Sequence, residues 1–165
     1  MLESTFVLCY NKNMSKVFFG RIFELAGTIG TLDCDRDDYK GVYIIVCPND
    51  LQKIYFNKCS NAGKFKGKDP TVSIDILKQK WVNDEEVLYI GKSETGVGKR
   101  MRRHIDFWKG KPVAAWGGRI IAQIQNYDNL EVWYSACDNP KQAERELLDK
   151  FYDKHTKLPF ANFRK

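Results

Sequence analysis

Two short stretches of the sequence carry side chains suited to a charged phosphate and a mobile proton. In 140–154, Leu147, Leu148 and Phe151 fall on one stripe at helical spacing, and Glu144 falls in the middle of that stripe. Glu146 points the opposite way. A carboxylate on a core-facing stripe must be matched, because desolvating its charge alone is costly or forces it to take up a proton. An internal salt bridge to Arg or Lys would match it. So would a divalent cation, since Mg2+ takes one or two carboxylates and leaves its other positions to water and phosphate. In the second stretch, Arg100 and His104 are i and i+4, hence neighbours on one helix face, bordering a buried side marked by Val97, Met101, Ile105 and Trp108. A guanidinium can fork onto phosphate oxygens, and an imidazole can pass a proton near neutral pH. Lys92, Lys99, Arg102 and Arg103 add more positive charge than solubility requires.

The elements that must position these residues are legible around them. The run "YIGKSETGVGKRMRRH" (89–104) reads as the end of a strand (86–91), a loop with two glycines and a basic helix. Loop amides and a helix N-terminus would offer N–H donors to an anion. A nucleotide-binding Walker A loop is excluded at both ends: Ser93 stands where its first glycine belongs, and Arg100 where its metal-binding hydroxyl belongs. The final helix is expected from Pro140 to Lys154, capped by Asp138 or Asn139, with Pro140 in its first turn. Upstream, apolar residues at helical spacing in "MSKVFFGRIFELAGTI" (14–29) predict a helix, followed by an acidic joint, "DCDRDDYK" (33–40). "GVYIIVC" (41–47) predicts a strand, "PND" a hairpin turn, and "KIYFNKC" (53–59) a second strand. A Gly/Lys-rich loop and a short helix over 71–82 come next, and "GRIIAQIQNYDNLEVWYSA" (118–136) reads as two strands turned at Asp128 and Asn129.

Composition bounds the class. At 165 residues and 43% hydrophobic, the chain suits one globular domain. A net charge of +6 favours a polyanionic partner. The five cysteines, Cys9, Cys34, Cys47, Cys59 and Cys137, are scattered without a C-x-x-C pair, which argues against a zinc site or disulfide framework and fits a reducing cytosol. No signal pattern and no apolar run near the ~18 residues of a membrane span is present, so a soluble, cytoplasmic protein is expected.

In their order along the chain, these residues resemble the GIY-YIG nuclease family. Gly41-Val42-Tyr43 and Tyr89-Ile90-Gly91 look like its two name-giving tripeptides. "YIGKS" is followed by Arg100 and His104, "AERELL" supplies Glu144 followed by Leu147, and "LPFAN" ends in Asn162, three residues after Pro159. The resemblance covers roughly 41–47 and 86–165 of a single domain, leaving 1–40 as an N-terminal extension and 48–85 as an insertion between the tripeptides. It implies an α/β (α+β) fold with a small central, mostly antiparallel sheet flanked by helices.

The resemblance also implies phosphodiester hydrolysis at one Mg2+ or Mn2+ held by Glu144, most like the small restriction-type endonucleases. Tyr43 would orient or deprotonate the attacking water, with His104 or Lys92 drawing off the proton. Arg100 would stabilise the charged phosphorane, with Lys99 or Arg103 as the alternatives, and Tyr89 and Asn162 would position the site. Lys64, Lys66, Lys68, Lys99, Arg102, Arg103 and Arg119 are the expected nucleic-acid contacts, with double-stranded DNA as the partner. A double-strand break would call for a homodimer, for which the apolar run "VFFGRIFELAGTI" is the candidate interface. A catalytically silent binding module, a repair or mobile-element nicking enzyme, and a basic interaction protein are the competing readings.

The loop "NKCSNAGKFKGKDP" sets Lys58, Lys64, Lys66 and Lys68 around Phe65, with Asp69 its only acid. Such a segment is either a solvated insertion or a device that grips phosphates and probes bases. Replacing Lys64, Lys66 and Lys68 with Ala is expected to weaken DNA binding and to flatten its salt dependence by up to about one unit of slope for each phosphate no longer neutralised. Residual cleavage at low salt should survive. Unchanged affinity and slope in a salt titration would reduce the loop to a solvated insertion.

Overall fold

The β-branched run at 41–46 forms the centre of the molecule, because every residue in it is buried and it needs a partner strand on both sides. The computed structural model describes residues 14–36, 38–48 and 53–165. Strand β3 (Gly41–Val46) lies between β4 (Val87–Ser93) and β5 (Glu131–Ala136) in a five-stranded sheet whose order is β1 (Ser15–Phe18), β2 (Arg21–Thr28), β5, β3, β4, and every pairing is antiparallel. Helix α2 (Val97–Trp108) packs through Met101, Phe107 and Trp108 on the face carrying Tyr43, Ile45 and Tyr89. Helix α3 (Pro140–His155) packs through Leu147, Leu148 and Phe151 on the face carrying Val42, Ile44 and Ile90. The protein is therefore a mixed α/β fold with helices on both sides of one antiparallel sheet. Among the described residues no helix is long and apolar enough to cross a membrane.

Local chemistry accounts for the helix boundaries. Asn139 caps α3 by accepting from the Gln142 N–H at 3.2 Å, and Pro140 occupies the first turn. Ser73 caps the short α1 (Ile74–Lys80) in the same way. The glycine loop before α2 binds an anion, but the anion belongs to the protein. An Asp38 oxygen accepts from Lys99 N–H at 3.4 Å and its other oxygen pairs with the Lys99 ammonium at 3.0 Å, while Ser93 Oγ accepts from Gly96 N–H at 2.9 Å. Val97 N–H is bonded to the Tyr39 carbonyl at 2.8 Å. The helix N-terminus expected to offer donors to a phosphate is thus largely satisfied from within.

Three expectations are overturned. Residues 14–29 are not a helix but β1 (Ser15–Phe18) and β2 (Arg21–Thr28), joined through Phe19 and Gly20 at φ 50° and 78°. Two successive left-handed residues make the tight turn that suits a hairpin, and β5 supplies the edge on which β2 pairs. The same pairing buries Phe18 and Phe23 against the α3 side, where Phe18 packs edge-on to Trp133 at 5.4 Å. Val17 and Ile22 of the run named as a candidate dimer interface stay exposed on the other face of the hairpin; residues 1–13 of the extension lie outside the described residues. Residues 53–59 form no strand: Phe56 makes one bridge to Ile124 and stacks on Phe160 at 5.7 Å. The "PND" turn falls at the edge of the described residues, with Asn49 and Asp50 beyond it. Residues 119–123 form a 3-10 turn rather than a strand, because Gln123 is buried and bonds the insertion: its Nε2 donates to the carbonyls of Asn57 and Val72, and its Oε1 accepts from Val72 N–H. A second 3-10 turn at Tyr127–Asn129 stands where the sequence predicts the reversal.

Gly96 is small because Asp38 needs the space: a Cβ there would overlap the Asp38 carboxylate. Gly96→Ala is expected to expel the cap and destabilise the fold by about 1–3 kcal/mol. Urea unfolding reads this, and an unchanged midpoint would show that Asp38 does not hold α2 in place.

Candidate active site

The chemistry-bearing residues come from both faces of the sheet and meet at its outer strand, β4. Tyr43 stands opposite Gly91 in the β3–β4 register, and a Cβ at Gly91 would overlap the Tyr43 ring. The missing side chain lets that phenol lie flat across β4. The Tyr43 hydroxyl reaches Nε2 of His104 at 2.8 Å, and both residues are buried. Tyr89 lies one step along, its ring 6.0 Å from that of Tyr43 and 5.8 Å from that of His104. Gly118, at φ 69°, lies against the Tyr89 ring, and the His104 ring stacks on Trp108 at 5.5 Å. His104 thus lies inside the α2 core, not at the border where its spacing predicts it.

Burial dominates the electrostatics. Burial, with the adjacent Tyr89, pushes the Tyr43 phenol well above its ordinary range, against the opposing charge of Arg100. Burial also raises Tyr89. His104 moves the other way: burial first, then the Arg100 and Arg103 charges, lowers it to about 3, opposed by the Gly117 backbone. The ring is neutral at physiological pH. We assign its proton to Nδ1, which leaves Nε2 to accept the Tyr43 O–H. Arg100 is half-buried; desolvation opposes its charge, but the two tyrosines and Glu144 outweigh it and hold the guanidinium charged. Its Nε is buried with no hydrogen-bond partner, as is Nδ1 of His104 by strict geometry.

Glu144 approaches from α3. Its carboxylate lies 3.9 Å from the Lys92 ammonium on β4, beyond hydrogen-bond reach, with its side chain 25% exposed. Burial raises its pKa, against the charges of Lys92 and Arg100 and with a contribution from Glu94. Glu146 is exposed and bonded to Gln142 at 2.9 Å. Lys92, Ser93, Lys99, Arg100 and Arg103 line an open basic pocket of about 280 Å3 on this side of the molecule.

The remaining predicted residues are placed differently. Asn162 is buried and grips the outer edge of β4, accepting from Ile90 N–H at 3.0 Å and donating to its carbonyl at 2.9 Å, so it positions the strand between Tyr89 and Gly91. Lys99 and Arg102 are engaged by Asp38 and Asp35, and Arg103 donates to the Ala114 carbonyl. Lys64, Lys66 and Lys68 are exposed on a tight turn, Lys66 and Gly67 both left-handed, which Phe65 anchors against Trp116 at 5.7 Å. Arg119 stacks on Trp116. Spacing along the chain does not single out Gly91 as the space for Tyr43, nor Asp38 as the group that sets α2. Both depend on neighbours distant in sequence. Comparison with models of protein families, with curated proteins and with solved structures finds no match.

His104 makes stability depend on acid. With its pKa lowered from 6.5 to about 3, the ring takes up a proton in that window only in the unfolded chain, so stability is complete above pH 6.5 and lost as pH falls. His104→Asn is expected to remove about 2 kcal/mol of the decline between pH 7 and pH 5. Urea midpoints of both proteins across that range measure it; parallel declines would contradict a buried neutral ring.

Proposed function

We propose that this protein is a metal-dependent DNA endonuclease of the GIY-YIG kind, hydrolysing phosphodiester bonds. The observation that carries the reading is the Tyr43–His104 hydrogen bond, set beside Tyr89, a charged Arg100 with an unpartnered Nε, and the carboxylate of Glu144. The ordered motif resemblance supports it independently, since Glu144 and the Arg100/His104 pair also stand out by spacing alone.

The residues fit a hard divalent cation. Among the described residues Glu144 accepts no hydrogen bond and has only a loose ion pair, so its oxygens are uncommitted. Glu144 would hold Mg2+ or Mn2+, with water and phosphate completing the shell. When bound, the ion would neutralise charge developing on the leaving 3′ oxygen.

The chain's own groups move the proton and hold the phosphate. Tyr43, with its high pKa, is a poor free phenolate; its hydroxyl instead accepts the proton of the attacking water while passing its own to His104 Nε2. His104 is a weak base in the free protein because it is buried, with the Arg100 and Arg103 charges adding to that effect; an arriving phosphate would offset the share due to those charges. Arg100, whose Nε has no hydrogen-bond partner, would present its charge to the non-bridging oxygens. Tyr89 packs beside Tyr43, and the Lys92 charge, 3.9 Å away, favours the ionised form of Glu144.

Glu144→Gln is expected to lower plasmid cleavage in Mg2+ by about a hundredfold or more while leaving DNA affinity equal or higher, because a negative charge beside phosphate is removed. Glu146→Gln should cleave normally. Wild-type cleavage by the Glu144→Gln protein would sink this assignment.

A further inference from the structure

Positive charge on this protein is unevenly neutralised. On α2, Lys99 and Arg102 are paired with Asp38 and Asp35, and elsewhere Lys16 and Lys165 are paired with Glu86 and Asp149. Lys80, at the end of α1, and Arg119 are half-buried, and neither has a carboxylate partner among the described residues. Both lie over one ring: the Arg119 guanidinium carbon is 3.6 Å and the Lys80 ammonium 4.4 Å from the centroid of Phe163. Their separation cannot exceed the sum of those distances. Burial lowers the pKa of both, and the Arg119 charge lowers Lys80 further. Two desolvated like charges are unfavourable together, and an anion would relieve them.

The pair is also held ready. Trp116 lies 4.5 Å from the Arg119 guanidinium, so two rings hold its faces. Its N–H edge makes one long hydrogen bond, Nη1 to the Trp116 carbonyl at 3.5 Å, leaving most of five donors uncommitted. Lys80 donates to the Asn162 carbonyl at 3.0 Å, keeping the rest of its ammonium free. Both residues are tied to the candidate active site. Asn162 grips Ile90 beside Tyr89, and Gly118, next to Arg119, lies against the Tyr89 ring. On the far side, Trp116 meets Phe65, whose turn carries the exposed loop lysines.

We propose that Lys80 and Arg119, clamped by Phe163 and Trp116, form a phosphate-binding site that holds the nucleic-acid backbone beside the phosphate being cut. The owner of that phosphate rests on the nuclease reading; free inorganic phosphate is the other source of the same chemistry. The planar guanidinium is essential to the site, because only a flat cation can be stacked between two rings and still present a fork of donors.

The test is equilibrium binding of a fluorescein-labelled 20-base-pair DNA duplex to the full chain in EDTA, titrated with salt, alongside thermal unfolding. Lys80→Ala and Arg119→Ala should each weaken binding about fivefold and reduce the salt slope by about one unit. Arg119→Lys should lose affinity although it keeps the charge. Lys16→Ala and Lys165→Ala, whose charges are already paired with Glu86 and Asp149, should change affinity less than twofold. Should Arg119→Ala fold poorly, Lys80→Ala and Arg119→Lys carry the comparison. Equal losses from all four positions, or unchanged affinity in the Lys80 and Arg119 variants, would overturn the site. Thermal stabilisation by millimolar inorganic phosphate that depends on Lys80 and Arg119, combined with unaltered DNA binding, would keep a phosphate site but overturn its assignment to a nucleic-acid backbone. Cleavage is read separately with plasmid and Mg2+: a wild type that binds through this pair but does not cut removes the nuclease reading and leaves the phosphate site standing.

Discussion

A phenol and an imidazole share one hydrogen bond in a dry interior, and the neighbouring residues are arranged to permit it. Tyr43 can lie over β4 only because Gly91 has no side chain, and His104 can face it only because α2 is seated directly above the sheet. Burial makes the ring neutral, which is the state that can accept a proton, and makes the phenol hold its own. Desolvation therefore shifts the two ends of one hydrogen bond in opposite senses. The charges of Arg100 and Arg103 add to that burial in keeping the ring neutral.

The seat of α2 is itself an electrostatic construction. Asp38 reaches the first turn across the gap left by Gly96, and the acidic joint that delivers it also neutralises Lys99 and Arg102. A helix that looks strongly basic in sequence is thus partly discharged on its outer side. Arg100 escapes this because it points toward the tyrosines and Glu144, where its charge is held rather than cancelled. Among the α2 cations, Arg100 thus keeps a charge that faces the candidate chemistry.

The outer strand needs support, since an uncovered edge leaves backbone donors and acceptors unpaired. Asn162 and the Ala161 N–H cover β4, and Gln123 binds the insertion to the body through three hydrogen bonds. These two amides convert segments without regular structure into fixed parts of the site's surroundings. Phe65 on Trp116 does the same for the lysine turn.

Some of this is legible in the chain and some is not, for definite reasons. Helices α2 and α3, strands β3 and β4, the Asn139 cap and the stripe holding Glu144 follow from periodicity and capping, which depend on residues within a few positions of each other. The segment 14–29 reads as a helix because its apolar spacing suits a helix as well as a hairpin, and the choice between them is made by β5, more than a hundred residues away. The strand expected at 119–123 fails for a similar reason: Gln123 is occupied by the backbone of the insertion. Alone, the sequence determined which residues could do chemistry and which local elements carry them, because those are properties of neighbours along the chain. Only the tertiary structure decided that Tyr43 meets His104, that Asp38 takes the helix N-terminus, and that Lys80 and Arg119 share a ring, because each depends on groups that the fold alone brings together.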